Sequence, residues 1–228
     1  MSNSNLVNYT RISPNRNTPR NHVIDTITIH CTAGQVSVET LGDIFASPER
    51  QASSNYGIGP DGRIGMYVSE TDRSWCSSSR ENDNRAITIE VASDAKEPYA
   101  VKDPAYKALI ALLVDICKRN NIKALVWSSD KGTRAAHRNG ANMTVHRDFA
   151  NTDCPGTWLF NRQAQIAKEV NAKLKERKAT AMTEAQKWAV NAGIVKGYDN
   201  GAYGWDDPAT RSQVTEMLYR YHKINGGK

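Results

Sequence analysis

The chain has 228 residues, a net charge of +6, 39% hydrophobic residues and 24% charged residues. That balance excludes wholesale disorder and suits either one large core or an enzyme-sized domain with a small appendage. No apolar run approaches the roughly 18 residues a spanning helix needs, and the polar start MSNSNLVNYTRISPNRNTPR lacks the apolar core of a secretory signal. The expectation is a chain made in the cytoplasm without a signal peptide. Its charge is uneven: residues 1–160 hold 18 Lys and Arg against 17 Asp and Glu, residues 161–180 six against two, and residues 181–228 six against five.

In chain order, a basic segment over 1–21 leads into residues 24–30, IDTITIH, which alternate as a strand does. The stretch VSVETLGDIFASP predicts a helix stopped before Pro48. SNYGIGPDGRIGMYV predicts a hairpin turning at Pro60-Asp61-Gly62. AITIEV, residues 86–91, is a second internal strand. From Asp103 to Asn121, the stripe Tyr106, Leu109, Ile110, Leu113 and Cys117 predicts a helix, with Cys117 as a small core residue. A short strand is expected over 124–127. Ile166, Val170 and Leu174 mark a basic connecting helix over 161–180. The class is α/β, a mixed central β-sheet flanked by helices, followed by a small helical C-terminal unit over 181–228.

Chemistry gathers at few positions. TITIH and AITIE both end on a reactive group, His30 and Glu90, placed where a rigid sheet aims them into a cleft. In TVHRDFANTDCPG, residues 144–156, His146 and Cys154 stand eight apart across an irregular loop. Imidazole and thiolate are preferred zinc ligands, and a catalytic zinc takes three protein ligands with the fourth position left to water. His30, His146 and Cys154 would supply such a set. Cys31 could compete, although neighbouring strand residues point to opposite faces. Cys76 receives no assignment.

These segments, TITIHCTAG, SSNYGIGPDGRIGMYV, SWCSSS…NDNRAITIEVA and TVHRDFANTDCPG, occur in the order in which they resemble the zinc-dependent N-acetylmuramoyl-L-alanine amidases of the type 2 class. That class includes endolysins and autolysins and is related to peptidoglycan recognition proteins. The resemblance covers roughly residues 22–165 and implies a catalytic domain over 22–160. It implies Zn2+ held by His30, His146 and Cys154, with Glu90 at the acid/base position. It further implies peptidoglycan as substrate, cut between N-acetylmuramic acid and L-alanine at the cell wall, after release through a membrane pore. The chain departs from the family at Thr152, where Lys is frequent, and at Asn55, where His is frequent; Thr152 would then donate a hydroxyl to the developing oxyanion. Ser54, Asn55, Tyr56, Trp75 and Arg85 are the substrate-binding candidates, Arg85 for a carboxylate.

AQKWAVNAGIVKGYDNGAYGWDDPATRSQVTEMLYRYHK resembles a single S-layer homology unit, which implies binding to an anionic secondary wall polymer through Trp205 and Arg211. Members usually carry three copies, and Gln213 here replaces a common Glu. Two other classes compete. A recognition-only module on this fold commonly carries Ser at the third ligand, where this chain has Cys154. Nucleic-acid binding has only net charge behind it, without a recognisable motif.

Overall fold

The computed structural model describes residues 2–175, 182–198, 203–205 and 208–226. The chain forms two compact units, Met1–Glu176 and Arg177–Lys228. In the first, the short strands β1 (Tyr9–Thr10) and β2 (Arg16–Asn17) precede the longer β3 (Thr26–Cys31). Helix α1 (Val38–Ala46) follows, capped where the Ser37 side chain accepts the Thr40 N–H. Next come β4 (Tyr56–Ile58), β5 (Ile64–Met66), β6 (Arg73–Ser74), α2 (Arg80–Arg85) and β7 (Ala86–Val91). The long α3 (Asp103–Arg119), the short α4 (Lys131–Ala135), β8 (Met143–Val145), α5 (Gly156–Phe160) and α6 (Gln163–Lys175) complete the unit.

The main sheet runs β1-β5-β4-β7-β3-β8, and its centre, β4-β7-β3-β8, is parallel. The hairpin expected around Pro60-Asp61-Gly62 is the antiparallel β4–β5 pair. Alternation sorts β3 and β7 into two faces. Ile27, Ile29, Ile87 and Ile89 are fully buried in the core that takes in Leu109, Leu113 and Ile166 from α3 and α6. Each such side chain contributes about 2 kcal/mol by burial.

The opposite, threonine face is buried as well, because α2 covers it. Thr28 and Thr144 share a 2.8 Å hydroxyl bond, Asn82 donates to Thr28 at 2.9 Å, and Thr144 donates to Asn82 Oδ1 at 3.0 Å. Thr88 and Ser74 join through a 2.7 Å hydroxyl contact. A buried polar group must be paired to be tolerated, and this network pairs each hydroxyl.

Two expectations need correction. Residues 124–127 form no strand. Asn142 takes over the pairing there, accepting the Val126 N–H at 2.7 Å and donating to the Ala124 carbonyl at 2.9 Å, while Asn171 accepts the Leu125 N–H. The basic helix is not a free connector either: α6 buries Ile166, Ala167 and Val170 against α3 inside the first unit. The end of that expected connector, 176–180, lies outside the described residues.

The second unit contains α7 (Glu184–Asn191) and α8 (Arg211–Ile224), both opened by capping boxes, at Thr183/Gln186 and Thr210/Gln213. Ile194 is its one buried hydrophobic side chain among the described residues, while Trp188, Leu218 and Tyr219 are more than half exposed. The Asp206-Asp207 part of the expected motif lies outside the described residues.

Candidate active site

Three neighbouring parallel strands end together. His30 pairs in register with Glu90 across β3 and β7, and Val145 pairs with Ile29, so His146 leaves β8 beside His30. In open α/β sheets, the crevice outside the carboxyl ends of the strands is where ligands bind. Cys154 returns to this edge from the following loop, its Sγ 3.4 Å from His30 Nδ1. Donor atoms of His30, His146 and Cys154 all lie within 4.8 Å of one another. The His30 and His146 rings are 5.1 Å apart.

The loop carrying Cys154 is held from several sides. The Thr152 hydroxyl accepts the Cys154 N–H at 3.2 Å. Arg147 donates to the Cys154 carbonyl at 3.3 Å and to that of Asp153, and its guanidinium lies over the Phe160 ring. Gly156 has φ +76, and a Cβ there would come within 2.5 Å of Tyr99, so only glycine lets the chain pass. Beneath His146, a buried bidentate pair joins Arg134 to Asp148, and Asp148 also accepts the Val145 N–H. Arg134 lies over the Trp127 ring, 4.2 Å from its centroid.

Electrostatics follow burial. His30 is held neutral, its pKa lowered to about 3 by burial and then by His146. Glu90 is raised to about 8 by burial, with the neighbouring Cys31 adding and Arg50 opposing. His146 is lowered by burial. Cys31 lies on the apolar face of β3, yet interaction with the neighbouring Cys154 thiol draws Cys31 down to about 7. Cys76 lies beside Glu90, its Sγ 4.0 Å from Glu90 Oε1, and burial pushes that thiol up. Asp83 fixes this turn by accepting the N–H groups of Cys76 and Ser77 at 3.0 and 3.1 Å. Two buried side-chain atoms here have no hydrogen-bond partner, His30 Nε2 and Glu90 Oε2.

Several expected substrate contacts lie elsewhere. Ser54, Asn55 and Tyr56 are completely buried. Ser54 donates to the Tyr56 carbonyl, Asn55 bonds the Thr88 and Val68 backbone, and the Tyr56 hydroxyl donates to Glu70 at 2.6 Å. All three sit in the interior, Tyr56 within β4 between β5 and β7, and Ser54 and Asn55 in the buried segment leading into it. Arg85 stands at the opposite end of β7 from Glu90, in a bidentate pair with Asp25. Trp75 is half-buried next to Cys76 and donates its indole N–H to Asn17 at 2.7 Å. Residues that sequence reasoning passed over include Ser78, 3.0 Å from His146 Nε2, and the cation Arg50 that Glu90 senses; nothing in a serine run or a post-helix arginine marks them.

In the second unit, Trp205 stacks on Tyr203 with centroids 5.6 Å apart. Both line a cavity of about 450 Å³ together with Lys196, Glu216 and Arg220. Arg211 is exposed at the first position of α8 and does not line it.

Similar structures share the first unit's fold. An endolysin N-acetylmuramoyl-L-alanine amidase from Clostridium intestinale URNW superposes with a TM-score of 0.50 at 22% identity, over 75% of this chain and 94% of its own. A mutant endolysin from Bacillus subtilis gives a TM-score of 0.53 at 16% identity, over 72% and 99%. No curated protein matches by sequence. The family model of N-acetylmuramoyl-L-alanine amidase matches residues 20–157, from just before β3 to the Cys154 loop and so across the whole cleft edge. With more than half its length so matched, the chain belongs to the N-acetylmuramoyl-L-alanine amidase family, enzymes that act on peptidoglycan.

Proposed function

We propose that the chain is a zinc-dependent, cell-wall-lytic amidase of the endolysin or autolysin kind, with His30, His146 and Cys154 as metal ligands. The observation that carries this is the convergence of the three donors. Two ligands bonded tetrahedrally to zinc at about 2.0 Å for nitrogen and 2.3 Å for sulfur stand about 3.5 Å apart. The His30–Cys154 separation of 3.4 Å fits that spacing. The donor chemistry fits too: His30 is neutral across the physiological range, as a ligating imidazole must be. When bound, zinc supplies Lewis acidity that polarises the scissile carbonyl and makes water a stronger acid.

The chain's own groups do the rest. Glu90, next to His30 and raised towards neutrality, takes a proton from the attacking water and passes it to the leaving amine of L-alanine. The Thr152 hydroxyl, already accepting from Cys154, keeps its own proton for the oxyanion. Arg147 and the Arg134–Asp148 pair keep the two ligand loops in place. The second unit is a wall-binding module of the S-layer homology kind, taking an anionic secondary wall polymer. Its aromatic and basic cavity supports this, with Arg220 rather than Arg211 beside Trp205.

The test is the chemistry of a wall digest. New N-terminal L-alanine without new reducing sugar is expected, together with complete loss of activity on chelation and recovery on adding zinc. Full activity in demetallated protein overturns the zinc assignment.

A further inference from the structure

Between β6 and α2 the chain makes a turn over residues 75–79, and one of its side chains reaches the cleft. Ser78, just before the Ser79 cap of α2, has φ +64, the left-handed region that suits glycine and strains a serine. It is exposed, and its hydroxyl lies 3.0 Å from His146 Nε2. We infer that Ser78 is a positioning residue for His146. Its hydroxyl holds the ring's orientation and tautomer, so that Nδ1 is the nitrogen presented to the metal. The inference rests on His146 being a ligand, as proposed above.

The turn is held on both sides of Ser78. The Asp83 carboxylate accepts the N–H groups of Cys76 and Ser77 at 3.0 and 3.1 Å. The Ser77 hydroxyl accepts the Ser79 N–H at 3.3 Å and the Asn82 amide at 3.0 Å. Ser79 in turn caps α2, accepting the Asn82 N–H at 3.2 Å. Backbone strain persists only where the surroundings over-determine it, and strained residues gather at functional sites. Here the strained residue is the one whose side chain meets His146.

A neutral imidazole carries one N–H and one lone pair on its two nitrogens. With the Ser78 hydroxyl accepting from Nε2–H, the lone pair is left on Nδ1. A ligating histidine ordinarily gives its other ring N–H to such an acceptor, which fixes the tautomer and raises ligand basicity. His30 turns the same atom to the site, its Nδ1 standing 3.4 Å from Cys154 Sγ. Without the hydroxyl, the His146 ring can turn and either tautomer is populated, so the ion must select among them. The contact is open to solvent, which puts its effect at the lower end for such partners, about tenfold in metal affinity.

The experiment compares the full chain with Ser78→Gly and Ser78→Ala. Both variants remove the hydroxyl, but only glycine relieves the backbone. In chelator competition, zinc affinity should fall about tenfold in each. Thermal unfolding of the metal-free proteins should separate the two, with Ser78→Gly the more stable. Nitrogen-15 NMR at about pH 8, above the ordinary imidazole range, reads the tautomer directly. Metal-free wild type is expected to carry its proton on His146 Nε2, and both variants a mixture. Adding zinc to wild type should shift the Nδ1 signal and leave Nε2 protonated. A wild-type proton on Nδ1, zinc bound through Nε2, or an affinity lost in only one variant or in neither each overturns the assignment. If His146→Ala binds zinc as tightly as wild type, the ligand set proposed for catalysis fails instead. The tautomer in metal-free protein still reports on Ser78 in that case.

Discussion

At the scale of single residues, Glu90 shows how burial sets chemistry. The folded, metal-free protein keeps a proton on Glu90 up to about pH 8, whereas the unfolded chain releases it near 4.5. The native state then binds more protons, so this group lowers stability as pH rises through that window. His30 acts in the opposite sense: folded near 3 and unfolded near 6.5, it costs stability as pH falls between those values. Glu90→Gln should raise the melting temperature of metal-free protein by a few degrees at pH 8 and leave it unchanged at pH 4, as thermal unfolding at both pH values would show. The same variant should retain zinc while its turnover falls by about 10²–10⁴. Thr152 offers a second check. Thr152→Val should cost about 10²-fold in kcat, and Thr152→Ser should restore most of it, since the serine hydroxyl both accepts from Cys154 and donates. Equal losses in the two variants would remove the hydroxyl from the reaction.

At the scale of elements, the candidate site is two loops, bearing His146 and Cys154, fastened to a sheet. The Arg134–Asp148 pair is buried and bidentate, and removing one partner leaves an uncompensated charge, so Asp148→Asn should destabilise the fold by about 3–5 kcal/mol in denaturant titration. Arg147→Ala should leave the fold standing but loosen the Cys154 loop, weakening zinc affinity by about 10–100-fold in a chelator competition. Legibility divides along the same lines. The period-two alternation of TITIH and AITIE showed both strands and the position of His30 and Glu90 at their ends, because a side chain's face follows from the strand itself. The place of Tyr56, and of Asn55 just before it, was hidden, because β4 is flanked by β5 and β7 in the sheet, and strand order is not a local property. Arg85 misled for a related reason: its partner Asp25 is sixty residues away in sequence. Residues 124–127 have strand composition, yet asparagine side chains from 142 and 171 supply the bonds a ladder would.

At the scale of the whole molecule, the two units differ in what they bury, and the proposed function divides the work between them. The first has an extensive core, while the second buries only Ile194 among its described residues and gathers aromatic and basic groups around a cavity. Removing residues 177–228 should therefore leave hydrolysis of soluble muropeptides within about twofold, and abolish sedimentation of the protein with cell walls. Loss of both, or of neither, would contradict this division. The excess positive charge sits mainly over 161–180, yet α6 is anchored in the catalytic unit, so any attraction to an anionic wall acts on that unit directly.

The register that aligns His30 with Glu90 has one further consequence, for the order in which the protein can mature. The groups that meet at the cleft come from residues 30, 90, 146 and 154, and no two of the first three are local in sequence. Every loop between them must close before they meet, so the chain pays that entropy before any metal can repay it. Shifting β7 by one residue would send Glu90 to the apolar face and dismantle the cleft at a stroke. For the proposed set of His30, His146 and Cys154, metal uptake is therefore a late event, and a freshly synthesised or partly unzipped chain stays silent until its last parallel strand, β8, has docked.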